Sequence, residues 1–254
     1  MTLKSKNGYD ISYQESIPED SNTVIIAMHG FAGDKTSTCI SMLEQAVNKE
    51  KIGLIKFDWP AHGESNTDGY NLTVEKCLDD LDSIINYLKQ KNNKYNLIAF
   101  GTSFGGYLTL LYNYYHPHTF KTIILRSPAI KMYSYMLDDL SDEKLKNEME
   151  EKGYYEFGFE RMIKITKEFY DSLKNNDVIK LYGDDKLENV SIIHGTNDDT
   201  VPFNDALEFS KKHSCHLYPV EGADHRYKND GELEKVIDIT IGIINNWLIY
   251  TLFV

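Results

Sequence analysis

Short apolar runs alternate with amphipathic segments along most of this chain, and that alternation limits the folds open to it. The segments between the runs carry apolar residues three and four positions apart, the spacing of one face of a helix. The predicted strands are residues 23–29, 53–57, 95–100, 122–126, 190–194 and 215–218, and the predicted helices are residues 38–49, 73–91, 106–115, 203–212 and 232–247. A β-hairpin that turns at Asn7 and Gly8 precedes them. We therefore predict an α/β fold, with a mostly parallel sheet covered by helices on both faces.

One segment, residues 129–188, interrupts the alternation and is too long to be a simple connection. It mixes acidic residues with aromatic and methionine side chains: Met132, Tyr133, Tyr135, Met136, Tyr154, Tyr155, Phe157, Phe159, Met162, Phe169 and Tyr170. We predict one core domain, residues 1–128 and 189–254, into which residues 129–188 are inserted as a helical cap. The cap should cover the carboxyl ends of the strands, where sites form in such sheets.

The composition argues against several classes of function. The chain has 254 residues, 41% of them hydrophobic, which is enough for a buried sheet. Its net charge of −12 argues against nucleic acid, because a phosphate backbone requires a basic surface. No stretch is long and apolar enough to span a bilayer, so we expect no stable membrane insertion. For the apolar residues 247–254 we expect a last helix docked on the sheet, with a homodimer or membrane contact as the alternative.

The cysteines give no sign of a disulfide framework or a metal site. They are scattered without a C-x-x-C pair: Cys39, Cys77 and Cys215. Their odd number and a polar start over residues 1–14 predict a reducing, cytoplasmic location. A metal cluster of His213, Cys215 and His216 would lack any standard ligand spacing, and H-E-x-x-H is absent. We expect neither a metal nor an organic cofactor.

A strand, a tight turn around a serine and a helix meet at residues 101–105, G-T-S-F-G. Between a strand and a helix, G-x-S-x-G is typical of a nucleophile elbow, a turn so sharp that the serine hydroxyl stands clear of the sheet. Side chains at the flanking positions would clash, which accounts for the glycines. The motif alone occurs by chance, but this context makes Ser103 the candidate nucleophile.

A serine hydroxyl is a weak nucleophile until a base removes its proton. The best candidate base is His225, in a loop that follows the last short strand. A carboxylate must orient that base, and H-G-T-N-D-D-T-V-P at residues 194–202 offers two, of which we prefer Asp198 to Asp199. Asp224 adjoins the histidine, but adjacent residues of an extended loop usually point apart. Enzymes with such an elbow carry these three residues in the chain order Ser, Asp, His, as this sequence does.

Acyl transfer also needs two backbone N–H donors for the oxyanion. One should be the N–H of Phe104, at the start of the helix after Ser103. The other should come from the loop H-G-F-A-G at residues 29–33, at Phe31. With Lys35 behind it, this loop has some likeness to a phosphate loop but is too short for G-x-x-x-x-G-K-[ST], so nucleotide binding is the poorer alternative.

A resemblance to a known group of proteins rests on residues 29–33, 57–65 (F-D-W-P-A-H-G-E-S), 101–105, 194–202 and 222–225 (G-A-D-H). In these stretches the chain resembles single-domain α/β-hydrolases, of the group that includes monoglyceride lipases, serine aminopeptidases and bacterial cinnamoyl (feruloyl) esterases. The resemblance implies the α/β-hydrolase fold and a triad of Ser103, Asp198 and His225. It also implies oxyanion donors at Phe31 and Phe104.

The resemblance further makes Asp58 and residues 62–65 a structural turn. Two positions depart from the group: Thr102 stands where histidine is usual, and Phe104 where cinnamoyl esterases usually carry glutamine. We expect a serine hydrolase that cleaves small-molecule carboxylic esters of short-chain or aromatic, cinnamoyl-type acids through an acyl-enzyme. The same residues would serve an amidase or peptidase, a thioesterase or an acyltransferase, and a ligand receptor without enzymatic activity is the remaining alternative.

Overall fold

Strands and helices follow the alternation seen in the sequence. The computed structural model describes residues 1–158 and 162–251; Phe159 of the insertion and the last residues of the apolar tail, 252–254, lie outside the described residues. The strands are β1 Thr2–Lys4, β2 Asp10–Ser16, β3 Thr23–Met28, β4 Gly53–Phe57, β5 Asn96–Thr102, β6 Thr122–Arg126, β7 Tyr154–Phe157, β8 Ile163–Thr166, β9 Val190–Gly195 and β10 His216–Val220. The helices are α1 Thr38–Lys49, α2 Val74–Lys91, α3 Phe104–Tyr115, α4 Met132–Asp139, α5 Glu143–Lys152, α6 Lys167–Asn175, α7 Val178–Tyr182, α8 Phe203–His213 and α9 Glu232–Thr251.

In the described part of the chain, the central sheet has eight strands in the order β1-β2-β4-β3-β5-β6-β9-β10. Strand β2 pairs antiparallel with β1 and β4, whereas the pairs from β4 across to β10 are parallel. Parallel strands end at the same edge of a sheet, so the loops after β3, β4, β5, β6 and β9 gather there. The predicted α/β fold is confirmed.

Successive residues of the central strands point to opposite faces, and each face has its own core. In β3, Val24 and Ile26 pack in the cluster that includes α2 and α3, whereas Ile25 and Ala27 pack in the cluster with α1 and α9. Every residue of β3 is buried. A strand covered on both sides is apolar throughout, which is why an uninterrupted apolar run predicted a parallel sheet.

The insertion between β6 and β9 contains α4 to α7 and an antiparallel pair of strands, β7 and β8. This corrects the expectation of a helical cap in one respect, because the segment is not wholly helical. Ile163 and Ile165 are buried while Lys164 between them is partly exposed, the period of two that a half-buried strand requires. Such a short strand leaves too little pattern to be distinguished in sequence.

The last helix, α9, docks on the sheet through one side. Val236 and Ile244 are fully buried in the cluster with α1, and Trp247 and Leu248 pack against that cluster. Ile249 on the same helix is exposed. Of the helices that the structure describes, none is long and apolar enough to cross a membrane.

Candidate active site

The turn at Ser103 has a backbone conformation that most residues avoid. Strand β5 ends at Thr102 and α3 begins at Phe104, so Ser103 makes the turn alone, with φ 50° and ψ −113°. Such a conformation costs about 1–3 kcal/mol and persists only where the surroundings hold it. Here the Ser103 N–H donates to the Arg126 carbonyl at 2.9 Å, and the Ser103 carbonyl accepts from the Ala129 N–H at 3.0 Å. These bonds fix the turn to the end of β6.

Two glycines bring the loop after β3 against this turn. A Cβ atom at Gly105 would lie 2.5 Å from the Met28 carbonyl oxygen and 2.6 Å from that of His29, closer than real Cβ contacts. A Cβ atom at Gly30 would lie 3.2 Å from the Cβ of Ser103. A side chain in place of Gly105 would block this approach, and one in place of Gly30 would crowd Ser103, so the loop and the serine adjoin each other.

The two N–H groups expected to bind an oxyanion lie on these adjoining backbones. Phe104 is the first residue of α3, a position whose N–H has no intrahelical partner. Phe31 follows Gly30 in the loop, and the two phenylalanine rings pack edge to face with centroids 5.5 Å apart. Within the described residues, neither N–H donates a hydrogen bond to another backbone group. Donors placed in this way can hold an anionic oxygen that forms beside Ser103.

His225 bridges Ser103 and Asp198. Its Nε2 lies 3.1 Å from Ser103 Oγ, and its Nδ1 lies 2.7 Å from Asp198 Oδ2. An ionised carboxylate only accepts, so Nδ1 carries the proton and Nε2 is left to accept from the serine hydroxyl. Arg126 Nη2 donates to the His225 carbonyl at 2.7 Å, and its guanidinium lies 4.6 Å from the ring centroid of Tyr227, which holds the histidine loop against β6.

The Asp198 carboxylate is enclosed and kept ionised. Oδ1 accepts the N–H groups of Thr200 at 3.0 Å and Val201 at 2.8 Å. Burial by itself would raise the pKa of Asp198, but hydrogen bonds with His194 and His225 outweigh burial and hold that pKa well below its usual range. The histidine therefore faces a permanent negative charge at neutral pH.

The neighbouring carboxylates lie elsewhere. Asp199 is exposed. Asp224 forms an ion pair with Lys228 at 2.9 Å, so it points away from the histidine that follows it. The structure thus brings Asp198, and neither of the alternatives, to His225.

One residue in contact with the Asp198 carboxylate is absent from the sequence predictions. His194 lies near the end of β9, and its Nε2 is 3.1 Å from Asp198 Oδ2, with both side chains fully buried. Its position at a strand end is the only signal in the sequence that could have indicated it. Strand ends also carry histidines that only pack, so that signal is weak.

A second buried carboxylate, Asp58, supports the loop that carries Phe31. Lys35 in the same connection donates twice, from its backbone N–H to Oδ1 at 2.8 Å and from Nζ to Oδ2 at 2.5 Å. The Glu64 N–H donates to Oδ2 at 2.8 Å. Gly63 has φ 49°, and a Cβ atom there would lie 2.1 Å from the Asp58 carboxyl carbon. The chain therefore closes around Asp58 in the structural turn that the resemblance implies.

The insertion contacts the site through aromatic rings. The rings of Phe157 in β7 and Phe169 in α6 each lie 5.9 Å from that of Phe31, centroid to centroid. Phe169 also lies 6.0 Å from Phe104, and His62 contacts Phe31 from the core side at 5.2 Å. The residues that carry both expected donors are therefore covered by apolar, aromatic surface.

No metal cluster is formed by the described residues, since no three His, Cys, Asp or Glu side chains among them are grouped to hold an ion. His213, considered above for such a cluster, is buried and has its Nδ1 2.7 Å from the Asp185 carbonyl oxygen.

A mostly parallel sheet, with a serine on a strained turn and a histidine and an aspartate at the same edge, defines the α/β-hydrolase class. Solved structures show the same fold. Est1E from Butyrivibrio proteoclasticus, bound to ferulic acid, is 21% identical with a TM-score of 0.78, over 96% of this chain and 99% of that chain. Mouse alpha/beta hydrolase domain-containing protein 10 is 18% identical with a TM-score of 0.77, over 97% and 98%.

The family described as serine aminopeptidase, S33, matches residues 19–191, which is more than half of the chain. The chain therefore belongs to this family of hydrolases. A protein of Mycoplasma genitalium named "Putative esterase/lipase 2" is 24% identical over 272 residues, spanning 97% of this chain and 98% of that protein. The resemblance seen in the sequence is confirmed.

Proposed function

We propose that this protein is a serine hydrolase of carboxylic esters. Ser103 is its nucleophile, His225 its general base and Asp198 the carboxylate that orients the base. The proposal rests on the hydrogen-bonded series from Ser103 Oγ through His225 to Asp198, with contacts of 3.1 and 2.7 Å. The name of the Mycoplasma relative supports an ester as the substrate.

In the first half of the reaction, His225 Nε2 takes the hydroxyl proton as Ser103 Oγ attacks the ester carbonyl carbon. The carbonyl oxygen becomes an oxyanion, which the N–H groups of Phe31 and Phe104 stabilise. The imidazolium, stabilised by Asp198, then gives its proton to the alcohol oxygen as the carbon–oxygen bond breaks. Water, deprotonated by the same base, attacks the acyl-enzyme and releases the carboxylic acid.

Short-chain or aromatic acyl groups fit this site best. The partly exposed rings of Phe31 and Phe157 supply an apolar surface, and the fully buried Phe169 packs against Phe31. Apolar surface of this kind favours acyl and aryl groups over phosphorylated or multiply charged substrates. Ferulic acid, the ligand in the Est1E structure, is itself an aromatic acid.

Amide hydrolysis is the second candidate, because the family is described as serine aminopeptidase. The same side chains would act, with the proton of His225 going to an amine. Nitrophenyl butyrate and butyryl nitroanilide share an acyl group and differ in the bond cleaved. We expect the ester to be cleaved with the larger kcat/KM, and a preference for the anilide would favour the amidase.

Replacement of the nucleophile tests the proposal directly. Ser103→Ala should lower kcat for nitrophenyl butyrate on the order of a millionfold and abolish labelling by a fluorophosphonate probe. Ser134→Ala, at an exposed serine of α4, is the matched control and should keep both the rate and the label. Substantial turnover by a folded Ser103→Ala variant would contradict the mechanism.

A further inference from the structure

The Asp198 carboxylate is in contact with two histidines through the same oxygen. Oδ2 lies 2.7 Å from His225 Nδ1 and 3.1 Å from His194 Nε2. The first histidine comes from the loop after β10, and the second from β9 itself. The side chains of Asp198 and His194 are wholly shielded from solvent, so their contact is not weakened by water.

The surroundings of His194 show which ring nitrogen carries the proton. Nε2 lies 3.0 Å from the Val201 carbonyl oxygen as well as 3.1 Å from Asp198 Oδ2. Both neighbours are acceptors, so Nε2 must carry a hydrogen. The Val201 N–H donates to the other oxygen, Oδ1, at 2.8 Å. His194 thereby ties both the carboxylate and the turn that follows it to the end of β9.

The other ring nitrogen indicates that packing alone does not explain this histidine. Nδ1 of His194 is buried and has no hydrogen-bond partner among the described residues. A buried polar atom without a partner is unfavourable, and an apolar side chain of similar size would avoid that cost. The ring also packs edge to face on Phe203, a contact that an apolar side chain would keep.

We propose that His194 is a positioning residue for the hydrolysis: its Nε2–H fixes Asp198 in the orientation that His225 requires and takes part of the negative charge of Oδ2. This inference rests on the proposed function, since it assigns His194 a role only through Asp198 and His225. His194 does not contact Ser103 and needs no contact with the substrate.

Two consequences for the kinetics distinguish this role from a structural one. Without the Nε2–H, Asp198 is held less firmly, so kcat should fall while KM changes little. The charge of Oδ2 would then act on His225 alone and make its protonation easier, which moves the acidic limb of the kcat/KM profile to higher pH. The variants leave unchanged the other charged or titratable groups around the pair: Arg126 on β6, Tyr135 on α4, Asp205 on α8, and Asp224 and Tyr227 in the histidine loop.

Three substitutions test the proposal. His194→Gln can place an amide N–H near the position of Nε2, His194→Asn is one methylene shorter and cannot reach, and His194→Met fills the space without a donor. We expect kcat for nitrophenyl butyrate to fall about 10–100-fold in the Asn and Met variants, and the Gln variant to recover most of it. The acidic limb should move up by about half to one pH unit in Asn and Met only.

Equal activity of the Gln and Asn variants, or an acidic limb that does not move in Asn, would overturn the proposal. Thermal unfolding of each variant shows which proteins are folded, and the Gln–Asn pair decides the question if the Met variant is not. Ser103→Ala separates the two levels of inference. If it abolishes turnover while the His194 variants act like the wild type, only the role of His194 fails; if it retains turnover, the proposed function fails.

Discussion

Two buried carboxylates at the same edge of the sheet, Asp58 after β4 and Asp198 after β9, have nearly the same backbone surroundings and different ionic partners. Each accepts two backbone N–H groups. The cation beside Asp58 is Lys35, whose Nζ lies 2.5 Å away. Beside Asp198 there are two imidazoles instead, His225 and His194.

The two sites differ in whether the side chain paired with the carboxylate can gain and lose a proton near neutral pH. Burial would lower the pKa of Lys35, but hydrogen bonds to Asp58 and Glu64 outweigh burial and raise it above the usual value, so Lys35 stays charged. His29 lies 3.9 Å from Asp58, but burial lowers its pKa and its Nε2 accepts the Trp59 N–H, so it stays neutral. The charges around Asp58 are therefore fixed at neutral pH.

At Asp198 the partner can change its charge during a reaction. In the proposed mechanism His225 would accept a proton from Ser103 and release it again, and the carboxylate lies where it would stabilise the charged form. A buried carboxylate is thus a structural element or a part of the chemistry according to its partner. Burial and hydrogen-bond count do not distinguish the two.

Of the two carboxylates, Asp198 should show the larger effect when it is replaced. Asp198→Asn should lower kcat roughly ten-thousandfold without unfolding the protein, because an amide favours the wrong tautomer of His225. Asp199→Asn, one residue on and exposed, is the matched control and should leave kcat unchanged. Steady-state kinetics on nitrophenyl butyrate, with circular dichroism of both variants, measure this. Equal losses of kcat in the Asp198 and Asp199 variants would contradict a part for Asp198 in the chemistry. Asp198 and Asp58 would then both be structural carboxylates.

The next effect is at the fixed ion pair and concerns stability. Lys35→Met leaves Asp58 charged and buried without its cation, which should lower the unfolding free energy by about 3–5 kcal/mol. The double variant Lys35→Met/Asp58→Asn should regain part of that loss. Lys131→Met breaks the more exposed ion pair with Asp205 and should cost at most about 1 kcal/mol. Urea unfolding measures all three, and similar losses in the two single variants would show that Lys35 does not hold a buried charge.

The sequence predicted those parts of the molecule that depend on local patterns. The elbow is a strand, a glycine-bounded serine and a helix within one continuous stretch, so its form could be derived before any contact was known. The structure then places Ser103, Asp198 and His225 within hydrogen-bonding reach in series. The catalytic role of these residues stays a prediction.

Other features depend on contacts between distant segments and could not be derived in this way. In the sequence Lys35 is only a residue that follows a glycine-rich loop, and no local pattern indicates that its Nζ contacts Asp58. His194 meets Asp198 because the loop after β9 folds back on the strand. Asp80 lies on the apolar side of α2, where a charged residue in a helix pattern is normally assigned to solvent.

Asp80 extends the comparison to a third buried carboxylate, one that has neither a lysine nor a histidine as partner within the described part of the chain. Its oxygens accept the hydroxyl groups of Ser5 at 2.5 Å and Tyr9 at 2.9 Å, and the side chain joins the N-terminal hairpin to α2. Burial raises the pKa of Asp80 to about 7, against the opposing effect of these two hydrogen bonds. Since none of the described residues places a cation beside it, this carboxylate takes up the proton itself as the pH falls below about 7.

The raised pKa makes the stability of the hairpin contact depend on pH. The folded state retains the proton of Asp80 up to about pH 7, whereas the unfolded chain releases it near pH 4. The stabilisation is complete below pH 4 and is lost as the pH rises towards and through 7. Asp80→Asn cannot ionise and does not lose this stabilisation. The unfolding free energy of the variant minus that of the wild type should therefore rise by about 2–4 kcal/mol from pH 4 to pH 8.

Asp82→Asn on the same helix is the control, because the pKa of Asp82 is shifted in the opposite direction. Burial would raise the pKa of Asp82, but hydrogen bonds with Lys6 and Tyr112 outweigh burial and lower it, so its stabilisation is present at neutral pH and is lost as the pH falls. A lowered pKa places the loss of the Asp82 stabilisation at and below about pH 4. Between pH 4 and pH 8 the Asp82→Asn variant should therefore differ from the wild type by a nearly constant amount, whereas Asp80→Asn gains stability over the same range. Urea unfolding at the two pH values, each variant measured against the wild type, cancels all other titrating groups. A difference for Asp80→Asn that stays constant between pH 4 and pH 8 would mean that Asp80 is already ionised in the folded protein, and that two hydroxyl groups can keep a buried carboxylate charged without any cation.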